Sequence, residues 1–539
     1  MRNPVNNLMT IRKLMILAST FLFAACTQQP STSLTAEAQA APPSGLKTFT
    51  LRIPGEPETL DWNLAHTPIE TYILMNIMEG LVTFDAQMKV IPSLAKNWLV
   101  SRDGLTYTFK LRDDVKWSDG VPLKAADFVY SWKRLLSPLT AASYAYFLFD
   151  VEGAEAFNKG TIKDFAQVGV KALNDRTLQV KLLKPVAHWI SIPTFWVTFP
   201  LREDMVAKHG TGWAKPGAML TLGPYMLAAH DMDSKIILKA NPTYYGKRGN
   251  IDQVVALIVN DASTAMTLYE AGKIDFLTDI STLDLKRMAG NKDLKRFPYL
   301  KTGYLGFVTS KYPMTNPNFR RAVAMAIDRN RLGEILHGGQ QAASSFVPPS
   351  MLAHSKGLGL PYDPIRAKRE LQAAGVDLVR PPTVEIVMPN WDKAVTIGQF
   401  IQGELKKNLG ITAVLQPFDH KTFRAQLDLH AFALFESSWS ADYPDPDNFL
   451  SLFLSDTGNN RTTWKNVKYD QLVLKARYHQ NAREREKLYL EAQKILQEQE
   501  AVVLPLYYEP NMALVRSRVE GLELNPINYL LLRKVMLRD

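Results

Sequence analysis

Hydrophobic and polar positions alternate from Lys47 to Ile53, with Phe49, Leu51 and Ile53 set against Thr48, Thr50 and Arg52. This predicts a half-buried strand, and Pro54-Gly55 stops it. Leu105, Tyr107, Phe109 and Leu111 repeat the pattern against Thr106, Thr108, Lys110 and Arg112, with turn residues at Asp103-Gly104 and Asp119-Gly120. Further strands are expected at Ile236 to Lys239, Val254 to Val259, Thr383 to Met388, Val502 to Tyr508 and Ala513 to Val515. Helices are expected from Thr67 to Glu79, from about Ala125 to Leu136, from Ala262 to Ala271 and from Val395 to Leu409. Phe319, Ala322, Val323, Ala326 and Ile327 fall at helical spacing, as do Leu488, Ala492, Ile495 and Leu496, and both sets read as core faces. The resulting β, α, β, α alternation predicts a mixed α/β (α+β) fold built on open sheets covered by helices. No internal repeat has a fixed period.

One stretch does not fit a simple core pattern. The run from Ala431 to Phe435 is apolar enough for a buried strand, and Glu436-Ser437-Ser438-Trp439-Ser440-Ala441-Asp442-Tyr443-Pro444-Asp445-Pro446 follows it. The prolines cannot continue a strand, so Asp442 sits where one ends. Asp442 and Asp445 can be turn formers in a Pro/Asp loop. Alternatively, a carboxylate at a strand end, beside an indole and small residues, can face a cleft and meet a cationic group on an extended ligand.

Length and composition then narrow the class. The 539 residues suffice for two or three domains, and 46% apolar with 22% charged residues is a globular composition. A formal charge of +10 falls to +7 once Arg2, Arg12 and Lys13 are removed with a leader, and no basic block supports nucleic-acid binding. Arg12-Lys13 precede an apolar run, Leu14 to Ala25, of signal-peptide length. It ends in Leu22-Phe23-Ala24-Ala25-Cys26, which resembles a bacterial lipobox, although Phe23 stands where Leu is commonest. Cys26, the single cysteine, is the expected lipidation site, residues 1–25 the signal peptide and residues 26–46 a flexible, lipid-anchored tether. One cysteine excludes an internal disulfide.

Catalytic signatures are missing from the sequence. There is no His-Glu-x-x-His, no Gly-x-Ser-x-Gly and no phosphate loop, and Gly357-Leu358-Gly359 lacks a third glycine. Prolines interrupt any calcium-loop pattern around Asp442 and Asp445, and closeness in sequence does not make the two a glycosidase dyad. The chain is expected to be neither an enzyme nor a holder of a metal or cofactor.

Several segments, in order, resemble the bacterial extracellular solute-binding proteins of family 5, most closely the oligopeptide-binding branch. They are Glu58-Thr59-Leu60-Asp61, Gly80-Leu81 with Pro92-Ser93-Leu94-Ala95, Asp103 to Phe109, and Val115-Lys116-Trp117-Ser118-Asp119-Gly120. Gly223-Pro224-Tyr225, Asn241 to Tyr245, Phe319-Arg320-Arg321-Ala322 with Asp328-Arg329, and Trp439 to Tyr443 complete the series. The resemblance implies a two-lobed periplasmic binding protein fold of the class II type with an additional α+β domain. Residues 47–67, 193–301 and 509–539 would form lobe I, 68–192 the additional domain, and 302–508 lobe II. Glu56, Pro57 and Glu58 from one lobe and Ser437, Ser438, Trp439 and Ser440 from the other would flank a peptide as two strands, and Asp442 would pair with its α-ammonium group. Tyr304, Trp439, Tyr507 and Tyr508 are candidate pocket walls, and strand alternation lets at most one of Tyr507 and Tyr508 face the cleft. The implied partners are short peptides and an ABC permease and ATPase, with a monomer held at the periplasmic or cell surface by its lipid anchor. Some relatives instead carry murein peptide, glutathione, nickel chelates or haem. This chain departs from well-known relatives in two ways. Their disulfide positions fall at Lys301 and Ser440, and their arginine near the ligand's carboxyl end is replaced by Glu436, with a second basic position at Leu427. The Glu436 exchange predicts ligands of different length or with a basic group nearby.

Overall fold

The computed structural model describes residues 45–539. The leader, Cys26 and the tether up to residue 44 lie outside the described residues. Three larger sheets carry the chain. The first has seven strands in the order Leu294–Phe297, Asn511–Val515, Phe276–Leu277, Thr48–Ile53, Gln253–Ile258, Lys235–Ala240, Tyr225–Asp231. The second has six, in the order Gln341–Ala342, Val503–Tyr508, Lys301–Phe307, Leu434–Ser440, Val384–Pro389, Ala413–Phe418. The third has four, Ala95–Val100, Thr106–Leu111, Thr177–Lys181 and Val170–Asn174, all antiparallel. The chain passes between the first two sheets at residues 298–300 and again at 509–510, and the two crossings lie side by side: Glu509 N–H donates to Lys301 O.

Local chemistry explains these elements. Phe49, Leu51 and Ile53 are wholly buried, and so are Phe109 and Leu111, with Tyr107 nearly so, as strand alternation requires. The helix Pro68–Ile77 begins at Thr67, whose side chain and that of Glu70 form a reciprocal capping box, with Pro68 at the first helical position. Glu70 also accepts the backbone N–H of Glu58 at 3.2 Å, so the cap fixes the segment before the helix. The expected helix 395–409 starts three residues earlier, at Asp392, and ends on Gly410 in the left-handed conformation. The helix Ala482–Lys494 continues through a wider turn at Ile495–Gln499. In the six-stranded sheet the Phe435 ring lies where a side chain on Gly306 would be, and Tyr507 covers Gly303 in the same way. Both glycines are therefore required by close packing.

One expectation needs correction. The apolar run Ala431 to Ala433 precedes its strand rather than forming it, and the strand is Leu434–Ser440. Glu56 to Glu58, expected to flank a ligand, are held by side-chain bonds to Glu70 and His230.

Candidate functional site

The strand Leu434–Ser440 is central on one side and open on the other. All seven of its residues pair antiparallel with Lys301–Phe307, in a register that puts Lys301 opposite Ser440. On the opposite edge, only Leu434 and Phe435 meet a neighbour, Ile386 and Val387. The flanking bonds, Ala441 N–H to Leu300 O at 2.8 Å and Val308 N–H to Ala433 O at 2.9 Å, show that odd-numbered residues bond to Lys301–Phe307. The C=O of Glu436 and the backbone groups of Ser438 and Ser440 therefore point to the open edge, while the Glu436 N–H is taken up by Val387 in the parallel pairing. A strand with free N–H and C=O groups is a template for another extended chain. This also explains why Glu-Ser-Ser-Trp-Ser stays a strand without being apolar.

The loop after this strand is rigidly supported. Asn448 Oδ1 accepts from Trp439 Nε1 at 2.9 Å and from the Asp442 backbone N–H at 3.2 Å, fixing the indole and the carboxylate-bearing residue together. Asp445 is no solvated turn former: both of its oxygens accept from Arg485, at 2.7 and 2.8 Å, in a buried pair. Tyr443 stacks on His188, with centroids 4.6 Å apart, and donates to Asp447 at 3.0 Å. Arg477 joins Asp447 at 3.3 Å to Asp150 at 2.9 Å, which links this loop to the part of the chain that carries the four-stranded sheet. Opposing charges and hydrogen bonds compensate burial here.

Asp442 opens into a chamber of about 100 Å³. Ser440, Tyr144, Phe195, Trp196, Tyr299 and Tyr529 line it, with His66 and Thr67 from the entrance to the capped helix. Residues far apart in sequence thus converge on one carboxylate. Desolvation raises the Asp442 carboxyl to about 6, and a side-chain hydrogen bond from Asn448 offsets only part of it. A cation placed in the chamber would relieve that desolvation directly.

Glu436 is 4% exposed. Burial raises it to about 7, the fields of Lys393 and Lys301 pull it down, and that of Glu509 pushes it up. Glu509 sits between Lys301, at 3.0 Å, and Lys393, and despite its burial these two cations hold it at about 2. The open edge therefore begins beside a four-membered charge cluster and ends at Asp442. Leu427, the second departure, is buried in the helix His420–Asp428.

The remaining candidates divide. Tyr304 is 6% exposed and meets Phe346, Phe435 and Phe453 edge to face, so it is a core residue. Tyr507 is buried over Gly303 near Glu436 and Glu509. Tyr508 lies on the other face, its hydroxyl accepts from Ser344 and Ser345 N–H, and it lines two cavities of about 570 and 290 Å³. Glu56 meets His230 Nε2 at 2.6 Å and accepts from Asp233 N–H, Pro57 is buried, and the Glu58 carboxylate is exposed, 3.5 Å from His66. Sequence reasoning missed Asn448, Tyr144, Trp196 and Tyr529. Nothing in their local sequence marks them, since only the fold brings them to Asp442. Among the described residues, no group of three or more His, Cys, Asp or Glu is placed to hold a metal, and no helix is long and apolar enough to cross a membrane.

Comparison with known proteins identifies the family. Residues 89–461 match the family profile described as bacterial extracellular solute-binding proteins, family 5 Middle. The chain is 31% identical to the probable deoxycholate-binding periplasmic protein YgiS of Escherichia coli (strain K12), over 90% of this chain and 92% of that one. It is 30% identical to the periplasmic oligopeptide-binding protein OppA of Salmonella typhimurium (strain LT2), over 86% and 88%. Among solved structures, Haemophilus influenzae OppA in complex with RPPGFSPFR superposes with a TM-score of 0.77 at 27% identity, covering 92% of this chain and 99% of that one. The fold is thus the multi-domain periplasmic binding protein fold, whose members are binding components of transporters and not enzymes. The chain belongs to the bacterial extracellular solute-binding proteins of family 5.

Proposed function

We propose that this protein captures short peptides in a cleft between two lobes and delivers them to an ABC permease, working as a lipid-anchored monomer at the periplasmic or cell surface. Lobe I comprises residues 47–67, 193–301 and 509–539, lobe II residues 302–508, and the additional domain residues 68–192. Cys26 carries the anchor. The observation that supports this reading best is a half-open strand, Glu436 to Ser440, leading directly to a desolvated carboxylate at Asp442. A peptide lying antiparallel or parallel to that edge gains main-chain hydrogen bonds whatever its sequence, and its α-ammonium group reaches Asp442. Glu56 to Glu58, steered by the Glu70 cap and His230, close over the ligand from the other lobe and gain their extended pairing only when the peptide is present. Glu436 supplies selectivity, favouring a basic side chain placed beside it. Mass spectrometry of what copurifies with the protein tests the reading. A ladder of short, sequence-varied, uncleaved peptides is expected, whereas a single defined small molecule would refute it in favour of a specialised member of the family.

A further inference from the structure

The chamber beside Asp442 is unusual in what surrounds the carboxylate. Tyr144, Phe195, Trp196 and Tyr529 form a continuous aromatic wall: Phe195 and Trp196 stack with centroids 3.8 Å apart, Tyr144 lies 5.4 Å from Phe195, and Tyr529 lies 6.1 Å from Trp196. No Lys or Arg is among the lining residues, and Arg424, whose field reaches Tyr144, stands outside them. Ser440 Oγ already shares a hydrogen bond with the Tyr299 hydroxyl. The Tyr529 hydroxyl is different. Tyr529 is 5% exposed, lines the chamber, feels the Asp442 charge, and its hydroxyl has no hydrogen-bond partner. Buried polar groups are normally satisfied, so an orphaned hydroxyl within reach of a carboxylate's field marks a place where a partner is lacking.

A carboxylate, an orphaned hydroxyl and a wall of rings together suit a cation that also carries carbon. Rings attract cations through their negative faces and pack alkyl groups by dispersion, so they do not require an N–H on the guest. We propose that this chamber accepts ammonium heads that are alkylated, up to a trimethylammonium group, with Asp442 meeting the charge, the aromatic wall meeting the alkyl groups, and the Tyr529 hydroxyl bonding only those heads that keep an N–H. This extends the ligand class from ordinary peptides to peptides with methylated or otherwise alkylated amino termini. It rests on the peptide reading above.

Calorimetry with three peptides that differ only at the amino terminus tests it. A trimethylated peptide is expected to bind within about tenfold of the free-amine peptide, because the cation–ring attraction replaces the lost hydrogen bonds. The acetylated peptide keeps neither charge nor donors and is expected to bind more than about 100-fold more weakly. Tyr529→Phe, which keeps the ring, should weaken the free-amine peptide about tenfold and leave the trimethylated one unchanged. If trimethylation costs as much as acetylation, the alkyl-accepting chamber is refuted while the peptide reading stands. If Tyr529→Phe leaves free-amine binding unchanged, the assignment of its hydroxyl is refuted. If the acetylated peptide binds as well as the free one, the role of Asp442 as partner of the peptide's amino end fails, and this proposal fails with it.

Discussion

Replacing Asp442 with Asn should separate stability from binding, moving the two in opposite directions. In the free protein the carboxyl is held at about 6 against an ordinary 3.8, a gap equivalent to about 3 kcal/mol when the group is fully ionised. The sign follows from linkage. Between 3.8 and about 6 the folded protein binds more protons at this site than the unfolded chain does, so its stability falls as pH rises through that window and stays lowered above it. Asp442 keeps one face to the chamber, so the cost actually carried at neutral pH is nearer about 1–2 kcal/mol. Asn has nearly the same shape, carries no charge, and can still accept a hydrogen bond from Asn448. At pH 7.5, Asp442→Asn is therefore expected to raise unfolding stability by about 1–2 kcal/mol, and near pH 4 the gain should disappear. Peptide affinity should fall by about 2–5 kcal/mol, because the ligand's ammonium group is left desolvated without its counter-charge. Each 1.4 kcal/mol is a factor of about ten, so the loss is about 30- to 4000-fold. Urea titrations at the two pH values and calorimetry with one free-amine peptide measure both quantities. A variant that is less stable at pH 7.5, or that binds as tightly as the parent, would refute the reasoning.

Four further outcomes follow from the same geometry. Because the Glu436 carboxyl ionises near 7, a peptide with a basic side chain beside it should bind more tightly at pH 8 than at pH 6, and Glu436→Gln should remove that difference; calorimetry of matched acidic and basic peptides at both pH values checks this. Arg477→Leu strands the wholly buried Asp447 and should destabilise the fold by about 3–5 kcal/mol in urea, whereas Asp150→Asn, at the more open end of the pair, should cost far less. Asn448→Ala frees both the Trp439 indole and the Asp442 backbone, so peptide affinity should drop with only a modest loss of stability. Gly306→Ala must displace the Phe435 ring and should cost about 1–3 kcal/mol, read as a lower urea midpoint at unchanged slope.

The elements with one buried face were legible in the sequence. Tyr107, Phe109 and Leu111 alternate, and Thr106–Leu111 is a strand; the helix expected from Thr67 to Glu79 runs from Pro68 to Ile77. The strand that matters most was the hardest to delimit, for a physical reason. Alternation and apolarity report burial, and Glu436, Ser438 and Ser440 lie along an edge that the fold leaves open, so the apolar signal stops at Phe435 while the strand runs on to Ser440. Asp442 could be singled out because prolines follow it, but Asp445 carries the same local signal and is instead locked to Arg485, forty residues away. Nothing local distinguishes the two.

The chamber was beyond sequence reasoning for a related cause. Tyr144, Trp196, Tyr529 and Asp442 come from four separate stretches, and each aromatic residue alone reads as core. Indeed Trp196 and Tyr529 are 5% exposed, and Trp196 spends its indole N–H on Ala65 O, as a core tryptophan would. What makes them more than core is the carboxylate they surround and the Tyr529 hydroxyl left without a partner. A protein that only needed stability would have gained from a neutral residue at 442 and Phe at 529. Keeping a desolvated charge and an orphaned hydroxyl around one chamber, beside an open strand edge, lowers the stability of the free protein in favour of what enters. A cationic ligand thus recovers free energy that burial of the carboxylate costs, which is why Asp442→Asn should stabilise the molecule and disable it in the same step.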